Sequence, residues 1–401
     1  MTEAAGRYRW ALLAAVFGLY LGFGVVASSL APLVGTISED LGLSRSQMGV
    51  VLGAWQFVYL ASSVPAGRLL DRLGLRWGLL LGIGLVAASG FLRAAAVGWG
   101  SLLLAVGVFG LGGPLISIGM PTLVSAWFSG DARGPATGAA AGGPVVGSVI
   151  TLLSANGLLM PLYGDRWRLV VATYAVIAAL AGVVWLVVTA RVPAAVEAPW
   201  RPAAGRAVGS RQLLREPVMR IVLIMATGTF FVNHALGNWL PEMLRDGGLS
   251  ASAASAWAAI PSLVGLAGGI AVPRLAVPRL RRAVLAACYL VLGAGVVSLV
   301  GDWSSFTVVG LLAIGAMRSA ALPIAMLFLM DSPRVGPANM AGASALYFTA
   351  GEIGGVTGPL TVGVLADRSG GFATAQWSLA GVTLVLASLA LSRSLRAEGS
   401  R

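Results

Sequence analysis

Leaving aside Arg220, at the very start of its run, four ionisable side chains fall inside long apolar runs of this sequence: Arg93, His234, Arg318 and Glu352. Burying such a group in an apolar run is costly, so each is a candidate for function by default. An arginine offers a planar charged fork that fits a carboxylate-like anion. A glutamate in the same surroundings can take up and release a proton. Histidine can bind, titrate or simply hydrogen-bond a neighbouring helix. Depth ranks the four: at ~1.5 Å per residue, Arg318, Glu352 and His234 each stand roughly 20 Å into their runs, near the middle of a bilayer. Arg93 ends its run, where a long side chain is expected to snorkel to the headgroups. Two readings of Arg318 and Glu352 stand side by side. Either they form a neutralising ion pair between two helices, or Arg318 holds an anionic substrate while Glu352 exchanges a proton as the substrate displaces it. Asn233, beside His234, and Gln56, roughly 15 Å deep in its own run, are candidate substrate contacts or interhelical hydrogen-bonders. Tyr20 and Tyr347 complete the candidate substrate contacts. No metal-ligand cluster, nucleotide loop or nucleophile–base constellation appears, so an enzyme, a metal or a cofactor is not expected.

Membrane-spanning helices must position these groups. Of the 401 residues 57% are apolar and only 10% charged, against roughly 25% charged in soluble domains. The spans are placed at Trp10–Val34, Ser46–Ala66, Trp77–Val97, Ser101–Trp127, Pro135–Leu158 and Leu169–Thr189, then Met219–Leu240, Ala253–Val272, Ala283–Val300, Ser305–Leu329, Ala338–Leu365 and Ala375–Leu391. The first run is too long for the core of a signal peptide and reads as a span. A net charge of +12 would suggest nucleic acid in a soluble chain. With both termini in the cytoplasm, however, 20 of the 27 arginines lie on the cytoplasmic side, whereas acids divide evenly. That is the positive-inside pattern, a topology signal that removes nucleic acid as a partner. The lone cysteine, Cys288, sits in an apolar run, so no disulfide is expected. Residues 191–218 read as a cytoplasmic linker between halves 1–190 and 219–401, and its arginines (191, 201, 206, 211 and 215) suit anionic lipid headgroups.

The stretch Gly67–Arg76, GRLLDRLGLR, is a charged island between two apolar runs. Glycines 67 and 74 flank its charges and suit a tight reversal. It resembles the G-x-x-x-D-R-x-G-R-[RK] loop between helices 2 and 3 of the major facilitator superfamily. The match lies at Gly67, Asp71, Arg72 and Gly74; Leu75 stands where arginine is usual, and Arg76 keeps the final cation. The resemblance implies an all-α membrane protein of 12 transmembrane helices in two six-helix pseudo-repeats. It also implies that helices 7, 10 and 11, hence His234, Arg318 and Glu352, face a central cavity. Gly67, Asp71, Arg72, Gly74 and Arg76 would then steady one conformation of the transport cycle.

The second half repeats the plan weakly: PRLAVPRLRR (Pro273–Arg282) stands where GRLLDRLGLR stands, and Gly354 and Gly358 answer Gly143 and Gly147. Gly143, Pro144 and Gly147 partly resemble the antiporter motif of proton-driven exporters, although Ala139 and Ser148 replace two of its glycines. The reading is tight helix packing first, transport direction second. NWLPEML (Asn238–Leu244) resembles cyanate-permease-like and nitroimidazole-exporter-like members, and SAWFSGDARGPATG those and nitrate/nitrite porters. The expected function is a monomeric, proton-coupled secondary transporter of the inner membrane. Its cargo would be a small anion such as an organic carboxylate; the alternative is export of lipophilic cationic compounds.

Overall fold

The computed structural model describes residues 3–128, 130–190, 210–332, 335–392 and 395, so most of the linker, with Arg191, Arg201 and Arg206, lies outside the described residues. The long helices are α1 (Glu3–Ala27), α3 (Arg45–Ala94), α4 (Trp99–Trp127), α5 (Arg133–Ser154) and α6 (Trp167–Thr189), with a short α2 (Val34–Leu41) after α1. The second set is α7 (Pro217–Asp246), α8 (Ala251–Arg274), α9 (Arg281–Val297), α10 (Ser305–Arg318), α11 (Ala321–Met330), α12 (Gly336–Ser369) and α13 (Ala373–Ala390). Among the described residues nine helices are long and apolar enough to cross a membrane; of these, α3 is two spans joined at Gly74, and α10 with α11 makes one. Leu104, Val187, Ile270 and Val309 stand exposed, as befits side chains that meet lipid rather than water.

The chain divides into two compact units. One comprises Met1–Leu43 with Ala54–Pro202, the other Ser44–Gly53 with Ala203–Arg401. The short segment Ser44–Gly53, from the start of α3, therefore belongs with the C-terminal helices.

Lipid supplies no hydrophobic force between helices, so close van der Waals approach must do the packing, and small residues permit it. In the first unit α1 lies against α5. A methyl group on Gly147 would stand 2.4 Å from the Leu21 carbonyl, and one on Gly24 2.3 Å from that of Pro144. In the second unit α7 lies against α12 in the same manner. There a methyl on Gly354 would stand 1.9 Å from the Thr227 carbonyl, and one on Gly358 2.3 Å from that of Phe231. The two glycine pairs noted in the sequence thus serve the same contact in each unit. Side chains fasten the second seam: Thr227 donates to the Ala350 carbonyl (2.9 Å) and the Trp239 indole to the Pro359 carbonyl (2.9 Å).

Two expectations need correction. The charged stretch is helical through most of its length, and the chain reverses at Gly74 alone (φ 71°, ψ 168°), a region open essentially to glycine. Gly67 lies within the helix. Beyond it Leu70, 3% exposed, fills the space left by the missing side chain of Gly78. The tenth span is not one helix either: it is interrupted at Ser319–Ala320, immediately after Arg318. Pro323 has no N–H to give the Ser319 carbonyl four residues back, and Ala320 bonds instead to the carbonyl of Met317 (3.2 Å).

Candidate functional site

Arg318 is the last residue of α10, so a guanidinium sits beside the carbonyl end of a helix that stops in mid-span. Those carbonyls carry partial negative charge and moderate the cost of the cation. Among the described residues no hydrogen bond or ion pair engages Arg318 itself. Its charge is felt at His234 on α7. The His234 ring faces the Phe230 carbonyl through Nδ1 (3.0 Å), and a carbonyl only accepts, so Nδ1 carries the proton. Asn238 donates to the His234 carbonyl (2.8 Å), while Oδ1 of Asn233 is buried with no hydrogen-bond partner.

Glu352 lies on α12, 8% exposed, and its Oε2 has no hydrogen-bond partner. Arg318 and Glu352 form no ion pair, so the neutralising lock between their helices is not made in this structure. Next to Glu352, Gly351 lets the Phe230 ring press against the α12 backbone: a methyl there would stand 2.9 Å from the ring. Phe230 in turn meets Tyr347 edge-on, with ring centres 6.1 Å apart. In the second unit Phe230 on α7 joins His234 to Tyr347 and to Gly351, beside Glu352, on α12, while Arg318 ends α10. Among the described residues, a buried acid and a half-buried arginine that make no hydrogen bond are poor structural elements but suit a site that waits for a charged ligand.

In the first unit Tyr20 donates to the Ile116 carbonyl (3.3 Å) and is half-buried beside Phe23. Phe23, Trp55, Tyr59 and Phe109 form one aromatic cluster, with Phe23 and Phe109 4.8 Å apart and Trp55 and Phe109 5.3 Å apart. Gln56 is 0% exposed, and neither its oxygen nor its nitrogen has a hydrogen-bond partner. Arg93 does not snorkel. It is 1% exposed, donates from Nη1 to the Val26 carbonyl (2.6 Å) and the Ser29 hydroxyl (3.1 Å), and stacks over Phe109. The end of α1 offers the guanidinium nearer partners than any headgroup. Its role is to hold the turn after α1.

At the reversal, the Arg76 carbonyl accepts from the Trp185 indole (2.9 Å), and the Arg76 guanidinium lies over its neighbour Trp77. Asp71 and Arg72 are exposed and have no hydrogen bond or ion pair among the described residues.

With the helices and their buried charges in place, comparison with known proteins decides the family. The model of the Major Facilitator Superfamily matches residues 12–359. The chain belongs to the Major Facilitator Superfamily. It is a membrane transporter and not an enzyme. Among superfamily relatives, a hexuronate transporter of Bacillus subtilis (strain 168) is 27% identical over 92% of this chain and 90% of its own length. A putative tartrate transporter of Agrobacterium vitis is 28% identical over 91% and 89%. Among solved structures, the nucleoside transporter NupG superposes with a TM-score of 0.79 at 13% identity, covering 95% of this chain and 99% of its own, a likeness of fold alone.

Arg318, His234 and Glu352 stand out in the sequence because ionisable groups are rare in apolar runs; the helix break beside Arg318 was not legible there, and its signal was Pro323.

Proposed function

We propose that this transporter carries a small organic anion through the inner membrane by alternating access, coupled to protons, as a monomer with both termini in the cytoplasm. The observation that carries the reading is the Arg318 guanidinium in mid-span, which among the described residues has no hydrogen bond or ion pair. A carboxylate would complete it with two parallel hydrogen bonds. Asn233, Tyr347, Gln56 and Tyr20 contribute further contacts to the cargo. Glu352 exchanges the proton. Gly67, Asp71, Arg72, Gly74 and Arg76 steady one conformation of the cycle. Relatives named for hexuronate and tartrate support an organic acid.

The orphaned carboxylate of Glu352 favours one second reading, export of lipophilic cations. A thermal-shift screen of the purified protein against carboxylates, inorganic anions and lipophilic cations separates the two, since a ligand stabilises the state it binds. Under the anion reading a carboxylate raises the melting temperature and Arg318→Ala abolishes the shift. A cation hit lost in Glu352→Gln would replace that reading with the exporter.

A further inference from the structure

We infer that the turn after α1 binds a single halide ion, chloride in water, on Arg93 and Ser29. The inference goes beyond the transport reading: it concerns the first unit alone and holds whatever the cargo is.

Arg93 is the penultimate residue of α3, and its guanidinium, 1% exposed, reaches the end of α1. Both of its hydrogen bonds leave from one nitrogen: Nη1 donates to the Val26 carbonyl (2.6 Å) and to the Ser29 hydroxyl (3.1 Å). Nε is buried without a partner. No ion pair engages the guanidinium among the described residues, and the face of the Phe109 ring lies 5.3 Å from its carbon. Ser29 is 0% exposed. Its oxygen accepts from Arg93, and its own O–H has no acceptor among the described residues. Two buried donors, on side chains already joined by a hydrogen bond, therefore lack acceptors at the same spot. A buried donor left unpaired is costly, most of all on a charged group.

The Val26 carbonyl is already used twice, by Arg93 and by the Ser29 N–H (3.2 Å), so a further acceptor has to come from outside the chain. A water would accept from these donors but bring two O–H groups of its own to a place where donors already outnumber acceptors. A halide only accepts, and does so from any direction. It also brings the full negative charge that an arginine, which stays charged, does not meet in a carbonyl, a hydroxyl and a ring. Single-atom size matters as well. A sulfate or carboxylate would need more donors than Arg93 and Ser29 provide to make up for its lost water. α1 stops at Ala27 and α3 at Ala94, one residue beyond Arg93. The ion therefore enters from the water at that end of the two helices, and pins them to each other by bridging Arg93 of α3 to Ser29 after α1.

The test uses the purified full chain at constant ionic strength, with chloride exchanged against gluconate or sulfate. The melting temperature is expected to rise with chloride and level off, since a ligand stabilises the state that binds it. Bromide should give the same rise, and crystals grown in bromide should show an anomalous peak against Arg93 Nε and Ser29 Oγ. Ser29→Ala keeps the bond from Arg93 to Val26 but removes one donor to the ion, and should need about tenfold more chloride for half of the rise. Arg93→Gln should show no rise. Equal melting temperatures of the parent in chloride and in gluconate overturn the inference. An equal rise in sulfate overturns it too, because it marks a general salt effect. A rise left unchanged in Ser29→Ala, or a bromide peak only at another place, puts the ion elsewhere and has the same force. Should Arg93→Gln fail to fold, Ser29→Ala and the bromide peak decide the matter.

Discussion

Asp367 caps the helix that begins at Arg45, accepting from the backbone N–H and the hydroxyl of Ser46. The Arg45 N–H joins them at 3.0 Å. The contact is close along its length: a methyl on Gly363 would stand 2.3 Å from the Arg45 carbonyl, and one on Gly49 2.7 Å from the Pro359 carbonyl. Asp367 therefore both satisfies free N–H groups at a helix start and ties Ser44–Gly53 to α12.

Burial by itself would raise the Asp367 carboxyl pKa, but hydrogen bonds from the Ser46 hydroxyl, the Ser46 N–H and the Arg45 N–H outweigh it and hold the group below the usual carboxylate range. A pKa lowered in the folded state stabilises above the ordinary value and loses that contribution as pH falls through the folded one. Asp367→Ala is thus expected to cost about 1 kcal/mol near pH 7, as loss of a capping side chain does. The deficit should shrink as the pH drops below about 4, the ordinary aspartate value. Melting curves of parent and variant at pH 7 and pH 3.5 check this, and an equal gap at both pH values would count against the charged cap.

The turn between the second and third spans makes a sharper test of motif against geometry. Gly74→Ala places a side chain in a backbone region that disfavours it, at a cost of about 1–3 kcal/mol. Gly67→Ala puts a methyl into open space on a helix and should leave melting temperature unchanged or raise it slightly. Equal losses in the two variants would mean that Gly67 has a role the turn does not explain.

Packing between α7 and α12 leaves no room at Gly354. Gly354→Ala should lower the melting temperature sharply or prevent recovery of monodisperse protein, because the added methyl meets the Thr227 carbonyl. Gly381→Ala on α13, where nothing lies within 4 Å, serves as the neutral control. Size-exclusion profiles and melting curves in detergent decide between them.

Arg93→Leu should destabilise the protein by about 2 kcal/mol, since the Val26 carbonyl and Ser29 lose a buried donor. The affinity for cargo should stay as in the parent, because Arg93 turns its guanidinium to the end of α1. Loss of affinity with unchanged melting temperature would give Arg93 a part in binding.

Much of this molecule was legible because a bilayer punishes charge and rewards small residues. Arg318, His234 and Glu352 announced themselves as exceptions in apolar runs. The paired glycines of α5 and α12 announced the repeat, and their contacts with α1 and α7 give the physical reason. What stayed hidden depended on partners far away in sequence. Arg93 looked like a headgroup anchor until Val26 and Ser29 supplied nearer acceptors. The helix ran through Gly67, and Leu70 packed into the gap at Gly78 on the far side of the turn. The break after Arg318 was written in Pro323, yet a proline in an apolar run does not by itself say that a helix stops.

The grouping of Ser44–Gly53 with the C-terminal helices bears on how the protein could be cut and rejoined. A break in the linker would not yield two self-sufficient pieces. The first product would retain the strip that covers Pro359–Gly363, and the second would be left with that face of α12 bare. Separately expressed fragments should therefore depend on each other to mature, in the manner of a split reporter.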